Sequence, residues 1–246
     1  MATTTLTRTA ETGAPSANRR NPLNAALAWV TFLLMAASLW AVFLYSSVEQ
    51  VQGPPQKIFY FHVPLAWDAF LAFFLTLVGG IGYLRTRNAR WDVLAYAAAE
   101  IGVVFTTLVI ISGSIWGKTI WGTWWTWDAR LTSTLVMWFV YVAYLMLRSS
   151  LGRTEKAARY SAVLGIVGFV DVPIVYESVN WWRTLHPQMV IEPNNVALPP
   201  DMLATFFLCL VTFTVFFIYM LRERMAVETL RHEIDELASG LEEVGV

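Results

Sequence analysis

The chain has 246 residues, of which 57% are hydrophobic and 14% charged, and its mean hydropathy is +0.52. A soluble domain carries about 25% charged residues, so this composition excludes a disordered chain, a fibrous protein and an ordinary cytosolic enzyme. A net charge of −1 leaves no basic surface for nucleic acid, and the single cysteine, Cys209, excludes an internal disulfide, a CxxC pair, a zinc knuckle and a CxxCH attachment site.

What remains is an all-α integral membrane protein. A helix needs about 20 mostly apolar residues to cross about 30 Å of hydrocarbon. Residues 1–22 form a polar Thr/Ala/Arg tail, which predicts disorder. The first span lies between Arg20 and Glu49 with no charge inside it. It is about twice the length of a signal-peptide core and has no convincing cleavage site, so it is read as retained. The second span is predicted over 63–84 with Asp68 near its start, and the third over 92–115 with Glu100 inside. The fourth fills 131–147. The fifth fills 160–179 and carries Asp171, Pro173 and Glu177; the sixth fills 202–221. Residues 23–222 thus form one six-helix membrane domain. In the tail over 223–246, Val227, Leu230, Ile234, Leu237 and Leu241 repeat at spacings of three and four. That is an amphipathic helical stripe, either an extension of the last span or a partner-docking helix.

Orientation follows from the cations, because positive loops stay cytoplasmic. Thirteen of the 17 lie in one set of segments: Arg8, Arg19 and Arg20; Arg85, Arg87 and Arg90; Arg148, Arg153, Lys156 and Arg159; Arg222, Arg224 and Arg231. The other four are Lys57, Lys118, Arg130 and Arg183. Both termini are therefore expected in the cytoplasm, with the loops over 48–61, 116–130 and 180–200 outside.

The outward loops hold the informative chemistry. Trp116, Trp121, Trp124, Trp125 and Trp127 fall within twelve residues, and Trp181 and Trp182 sit in the last outward loop. An interfacial belt spreads its tryptophans over many helix ends and both leaflets; here one leaflet takes most of them. If 121–128 is helical, Trp121, Trp124, Trp125 and Asp128 share a face and form an indole shelf. Such a shelf suits a large planar apolar ligand with a polar rim. His62 ends the run Phe59-Tyr60-Phe61, and His186 follows Trp181-Trp182; both are on the side of the Trp loop, whereas His232 is in the tail. A lone interfacial histidine is usually only a polar helix end. Two of them flanking an indole shelf are candidate axial ligands for haem iron. Lys118, Arg130 and Arg183 are candidate partners for the propionates or, equally, interface anchors. Asp68 and Glu177 are expected to orient the histidines, and Glu100 and Asp171 to hydrogen-bond across the bundle, Asp171 through backbone groups freed by Pro173. The stretch from Gly113 to Thr119, GSIWGKT, has three residues between its glycines where a phosphate loop needs four, and it follows a membrane span. It is no nucleotide site.

These residues resemble a known family. WGTWWTWDARLTS over 121–133 looks like the tryptophan-rich WWD signature of haem-handling proteins in cytochrome c maturation, and its ending DARLTS resembles the CcmC family. FYFHVPLAW over 59–67 and PIVYESVNWWRTLHP over 173–187 resemble that family's two outward histidine motifs. The likeness covers about residues 24–222. It implies a haem b-binding subunit of the bacterial inner membrane, with His62 and His186 as axial ligands and Trp121, Trp124, Trp125, Trp127 and Asp128 as the platform. Trp116, Trp181, Trp182, Arg130 and Arg183 would stand around it. The implied partners are the haem chaperone CcmE, the CcmA–CcmB transporter, the small CcmD subunit and membrane lipid. The protein would be a transfer and assembly factor with no ATPase motif of its own. A bis-His cytochrome b-type quinol oxidoreductase and a haem permease are the alternatives.

Overall fold

The computed structural model describes residues 22–186, 191–192, 195–196 and 198–244. The tail cations Arg8, Arg19 and Arg20 lie outside them. Six segments are long and apolar enough to cross a membrane, running Pro22–Tyr45, Pro54–Thr86, Ala89–Trp121, Ala129–Leu151, Glu155–Trp181 and Pro200–Asp235. The protein is a multi-pass membrane protein.

Local chemistry sets the ends of these helices. Helix α1, Pro22–Trp40, runs into a π turn over Ala41–Tyr45 and stops where Ser46 turns extended. A 3-10 turn over Pro54–Ile58 leads into α2, Phe59–Thr86. Arg87, in the left-handed region at φ 58°, ends α2, and Asn88 opens α3, Ala89–Trp121, by accepting the Arg90 N–H. Helix α4 is Ala129–Leu151. Thr154 caps α5, Glu155–Phe169, by accepting the Ala157 N–H. The fifth span was expected as one helix but breaks at Val170, where α6, Asp171–Trp181, begins. A proline ring clashes with the carbonyl four residues back; for Pro173 that is Phe169, the last residue of α5. The only strands among the described residues are β1, Ile191–Glu192, and β2, Asn195–Val196, a short antiparallel pair.

Helices α2 and α3 form the centre of the bundle. Gly79 lets them touch: a Cβ there would lie 2.7 Å from the Trp91 carbonyl and 2.9 Å from the Ala95 side chain. Close approach through small residues is how membrane helices associate, since lipid supplies no hydrophobic drive between them. Phe73 stacks on Tyr141 of α4 at 3.7 Å and joins α2 to α4 and α6. Helix α1 packs peripherally against α7, Pro200–Val244, with Ser38 and Thr212 sharing a buried hydroxyl bond of 2.8 Å.

The buried charges are mostly paired. Arg148 grips Asp92 through two hydrogen bonds of 2.9 and 2.8 Å, with both side chains almost fully enclosed. Glu100 pairs with Arg224 across α3 and α7, as expected of a bond across the bundle. Two expectations are corrected here. Asp68 accepts from Thr214 of α7 at 3.1 Å, while His62 is held by a different residue, so Asp68 does not orient it. Asp171 Oδ2 is buried without a hydrogen-bond partner among the described residues, so the break at Pro173 does not satisfy it.

Helix α7 runs without interruption over Pro200–Val244. At about 1.5 Å per residue its 45 residues extend well beyond the hydrocarbon. Arg153 fixes the rotation of the extension by pairing with Glu228 at 3.1 Å and Asp235 at 2.7 Å. The stripe from Val227 to Leu241 is thereby left exposed.

Candidate functional site

Both candidate histidines, the Trp-rich segment and the starts of α2, α4 and α7 lie at one end of the bundle; the basic segments around Arg87, Arg153 and Arg224 lie at the other. At the histidine end a cavity opens among α2, α3, α4 and α6. His62 and His186 both line it, together with Trp116, Trp121, Trp124, Trp125 and Arg130. Its deeper wall is apolar, with Ala69, Phe70, Val109, Ile110, Met137 and Val175.

His62 sits in the first turns of α2 and packs on the last turns of α3. Its Nδ1 is 2.9 Å from Ser112 Oγ, and its ring meets the Trp116 indole edge-on at 5.8 Å. Gly113 makes room for it: a Cβ there would lie 2.9 Å from His62 Cε1. Trp116 is held in turn by Phe59, at 6.4 Å, and by Gln52, whose Oε1 accepts the indole N–H at 3.1 Å. His186 lies in the loop beyond α6, where its backbone N–H donates to Thr184 Oγ1 at 3.1 Å. Both His186 and Arg130 act electrostatically on His62.

The Trp segment is not the helix that its spacing allowed. Helix α3 stops at Trp121 because Gly122 takes the left-handed region at φ 75°, a C-terminal cap that favours glycine. Lys118 closes this end by donating to the Gly122 carbonyl at 2.8 Å. Residues 123–128 are irregular, and α4 starts only after Asp128. Asp128 is its N-cap: Oδ1 accepts the Leu131 N–H at 3.0 Å and Oδ2 accepts the Thr126 hydroxyl at 3.2 Å. There is thus no single indole shelf. Trp121, Trp124 and Trp125 still face the cavity; Trp127 packs edge-on against Trp125 at 5.7 Å and is 76% exposed outside the lining.

Trp181, Trp182 and Arg183 end α6 as exposed residues and do not line the cavity, and Glu177 accepts from Asn180 at 2.8 Å. Arg130, the second residue of α4, does line it, and among the described residues no carboxylate forms a salt bridge with it. The Trp125 indole N–H is buried without a hydrogen-bond partner among the described residues. A cavity with two imidazoles, an unpaired guanidinium, an unpaired indole donor and aromatic walls fits a flat apolar macrocycle with a metal centre and an anionic edge. Sequence reasoning missed Ser112, Gly113 and Gln52. Their only signal is small residues at Gly113 and Gly117 on the helical face that carries Trp116 and Ile120, all four of which line the cavity.

The family model described as heme exporter protein C matches residues 9–239, beyond the 24–222 over which the motifs alone suggested a likeness. The heme exporter protein C of Bradyrhizobium diazoefficiens is 37% identical over 212 residues, covering 86% of this chain and 80% of that protein. That of Haemophilus influenzae is 31% identical over 214 residues, covering 86% of each. A putative cytochrome c biosynthesis ccmC-like mitochondrial protein of Marchantia polymorpha is 32% identical over 199 residues, 79% of this chain and 83% of that protein. With its six spans and three characteristic motifs, and with a match that runs through nearly all of them, the chain belongs to the CcmC family.

Proposed function

We propose that the protein binds haem b as cargo at the outer membrane surface and presents it to a CcmE-type haem chaperone during cytochrome c maturation. The observation that carries this reading is that His62 and His186, 124 positions apart in sequence, line one cavity walled by Trp116, Trp121, Trp124 and Trp125. Neutral imidazoles are standard axial ligands of haem iron, and indoles supply flat contact area at small entropic cost. Arg130 takes a propionate as a charge-assisted pair. Lys118 and Arg183 do not, since one caps α3 and the other stands outside the lining.

Asp128 serves the site indirectly: by starting α4 it sets where Arg130 projects. The open mouth leaves part of the macrocycle within a partner's reach. The protein acts as a transfer subunit alongside the CcmA–CcmB transporter and CcmD, which supply any nucleotide-driven step. The positive segments place both termini in the cytoplasm and the cavity mouth in the periplasm. A quinol oxidoreductase would hold its haems between histidines inside the bundle; here the two available histidines meet at one mouth.

The test is the haem spectrum of the purified protein. Wild type should carry haem with a low-spin bis-imidazole Soret band, and the His62→Ala/His186→Ala double variant should lose it while keeping its size-exclusion profile. Unchanged haem content and band position in the double variant would defeat the proposal.

A further inference from the structure

One ring nitrogen of His62 is committed before any iron arrives. Its Nδ1 lies 2.9 Å from the Ser112 hydroxyl oxygen across the α2–α3 interface. Ser112 is itself helical, and its hydroxyl donates to the Val109 carbonyl one turn back, at 3.3 Å, the back-bond open to a serine inside a helix. A hydroxyl has one proton and two lone pairs. With its proton directed at Val109, Ser112 offers His62 only a lone pair. The bond between them is then His62 Nδ1–H donating to Ser112 Oγ, which leaves the imidazole lone pair on Nε2.

We propose that Ser112 is a positioning residue that keeps the His62 proton on Nδ1 and so aims the Nε2 lone pair at the iron. This deepens the haem reading above and rests on it. Ring orientation follows as well, because Gly113 lies under Cε1 and Trp116 stands against the ring edge. An imidazole that donates its second N–H is a more basic ligand, and losing such a partner weakens metal binding about ten- to a hundredfold.

The experiment uses the full-length purified chain and replaces the ring with a free azole. His62→Gly should lose the bis-imidazole Soret band, and added imidazole should restore it. 1-Methylimidazole has the same ligating nitrogen but a methyl in place of the N–H. It should need at least about tenfold higher concentration for the same recovery. In His62→Gly/Ser112→Ala that preference should shrink to within about twofold, because the acceptor is gone. Equal rescue by the two azoles in His62→Gly overturns the role of Ser112 and leaves the haem reading standing. A native band in His62→Gly without any azole defeats the haem reading at His62 instead. In the otherwise intact chain, Ser112→Ala should hold haem about tenfold more weakly, while Ser112→Thr, which keeps the hydroxyl, should match wild type. This second arm decides the matter if neither azole enters the cavity; equal haem affinity of wild type, Ser112→Ala and Ser112→Thr then overturns the proposal.

Discussion

Gly113→Ala separates the stability of the bundle from the geometry of the site. Gly113 lies inside α3, where alanine is the better helix former by about 0.5–1 kcal/mol. On helix propensity alone the variant should equal or exceed wild type. The added Cβ would, however, stand 2.9 Å from His62 Cε1, whereas carbon atoms rest about 3.5–4.0 Å apart. The ring must retreat by at least about 0.6 Å to reach that spacing. It has little freedom to do so without loss, since Nδ1 is tied to Ser112 at 2.9 Å and Trp116 stands at 5.8 Å between ring centres. Binding constellations tolerate displacements of only about 0.5 Å. The expected result is a fall in haem affinity of about tenfold or more, equivalent to about 1.4 kcal/mol, with a smaller change in stability, because the gain in helix propensity offsets part of the clash. Haem titration followed by the Soret band, beside thermal unfolding monitored by size exclusion in the same detergent, reads both quantities. A Gly113→Ala protein that binds haem with wild-type affinity and an unshifted band would refute the placement of His62 against the iron.

Other expectations follow from single contacts. Removing the α4 cap with Asp128→Ala should cost about 1 kcal/mol in thermal unfolding, and Asp128→Asn, which still caps, should recover most of it together with wild-type haem affinity. Arg130→Ala should bind haem about tenfold more weakly through loss of a charge-assisted pair, yet bind haem dimethyl ester as wild type does; a deficit with the ester as well would show that Arg130 acts through something other than a propionate. Asp92→Asn should destabilise by about 3 kcal/mol because it leaves the enclosed Arg148 charge without its partner, whereas Asp92→Leu/Arg148→Met should lie close to wild type. Guanidinium and carboxylate this well enclosed make a double-mutant cycle with a clear sign. Deleting residues 237–246 leaves the Arg153 pairs to Glu228 and Asp235 intact, so melting temperature and haem content should both be unchanged.

Number and place of the spans were legible because hydrocarbon demands about 20 apolar residues whatever the tertiary packing. The errors fall where backbone chemistry overrides composition. Hydropathy runs straight through 160–179, but Pro173 forbids the helix at Phe169 and splits the span. Predicted spans were also too short: α3 and α7 run on past the apolar stretch to Trp121 and Val244, since a helix that leaves the bilayer meets no reason to stop until a cap or a left-handed residue appears. Partners of the buried acids were half legible. Charge cost alone says that Glu100 needs a partner, but which cation reaches it depends on how α7 lies against α3, and local sequence carries no record of that.

The Trp segment shows why residue content and geometry part company. Its inventory of indoles was readable, since five fall within twelve residues. Its conformation depends on two single residues at its edges. Gly122 at φ 75° stops α3, and Asp128, as an N-cap, delays α4 until residue 129. Between those two points the chain is irregular, so the spacing of i, i+3 and i+4 loses its meaning. Trp121 reaches the cavity from a helix end and Trp124 and Trp125 from a loop, while Trp127 turns outward. The same two residues explain how Arg130 enters the site while Lys118 does not. Lys118 is one turn before the Gly122 cap, where the free carbonyl claims its ammonium group at 2.8 Å; Arg130 is two residues after the Asp128 cap, in a first turn that has N–H groups to satisfy and no free carbonyl to bind a guanidinium. A cation at a helix C-terminus is drawn to the backbone, and a cation just inside an N-terminus is left for a ligand. The glycine and the aspartate that bracket the tryptophans thus leave Arg130 lining the cavity and turn Lys118 to the backbone, a difference between two cations that composition and spacing could not tell apart.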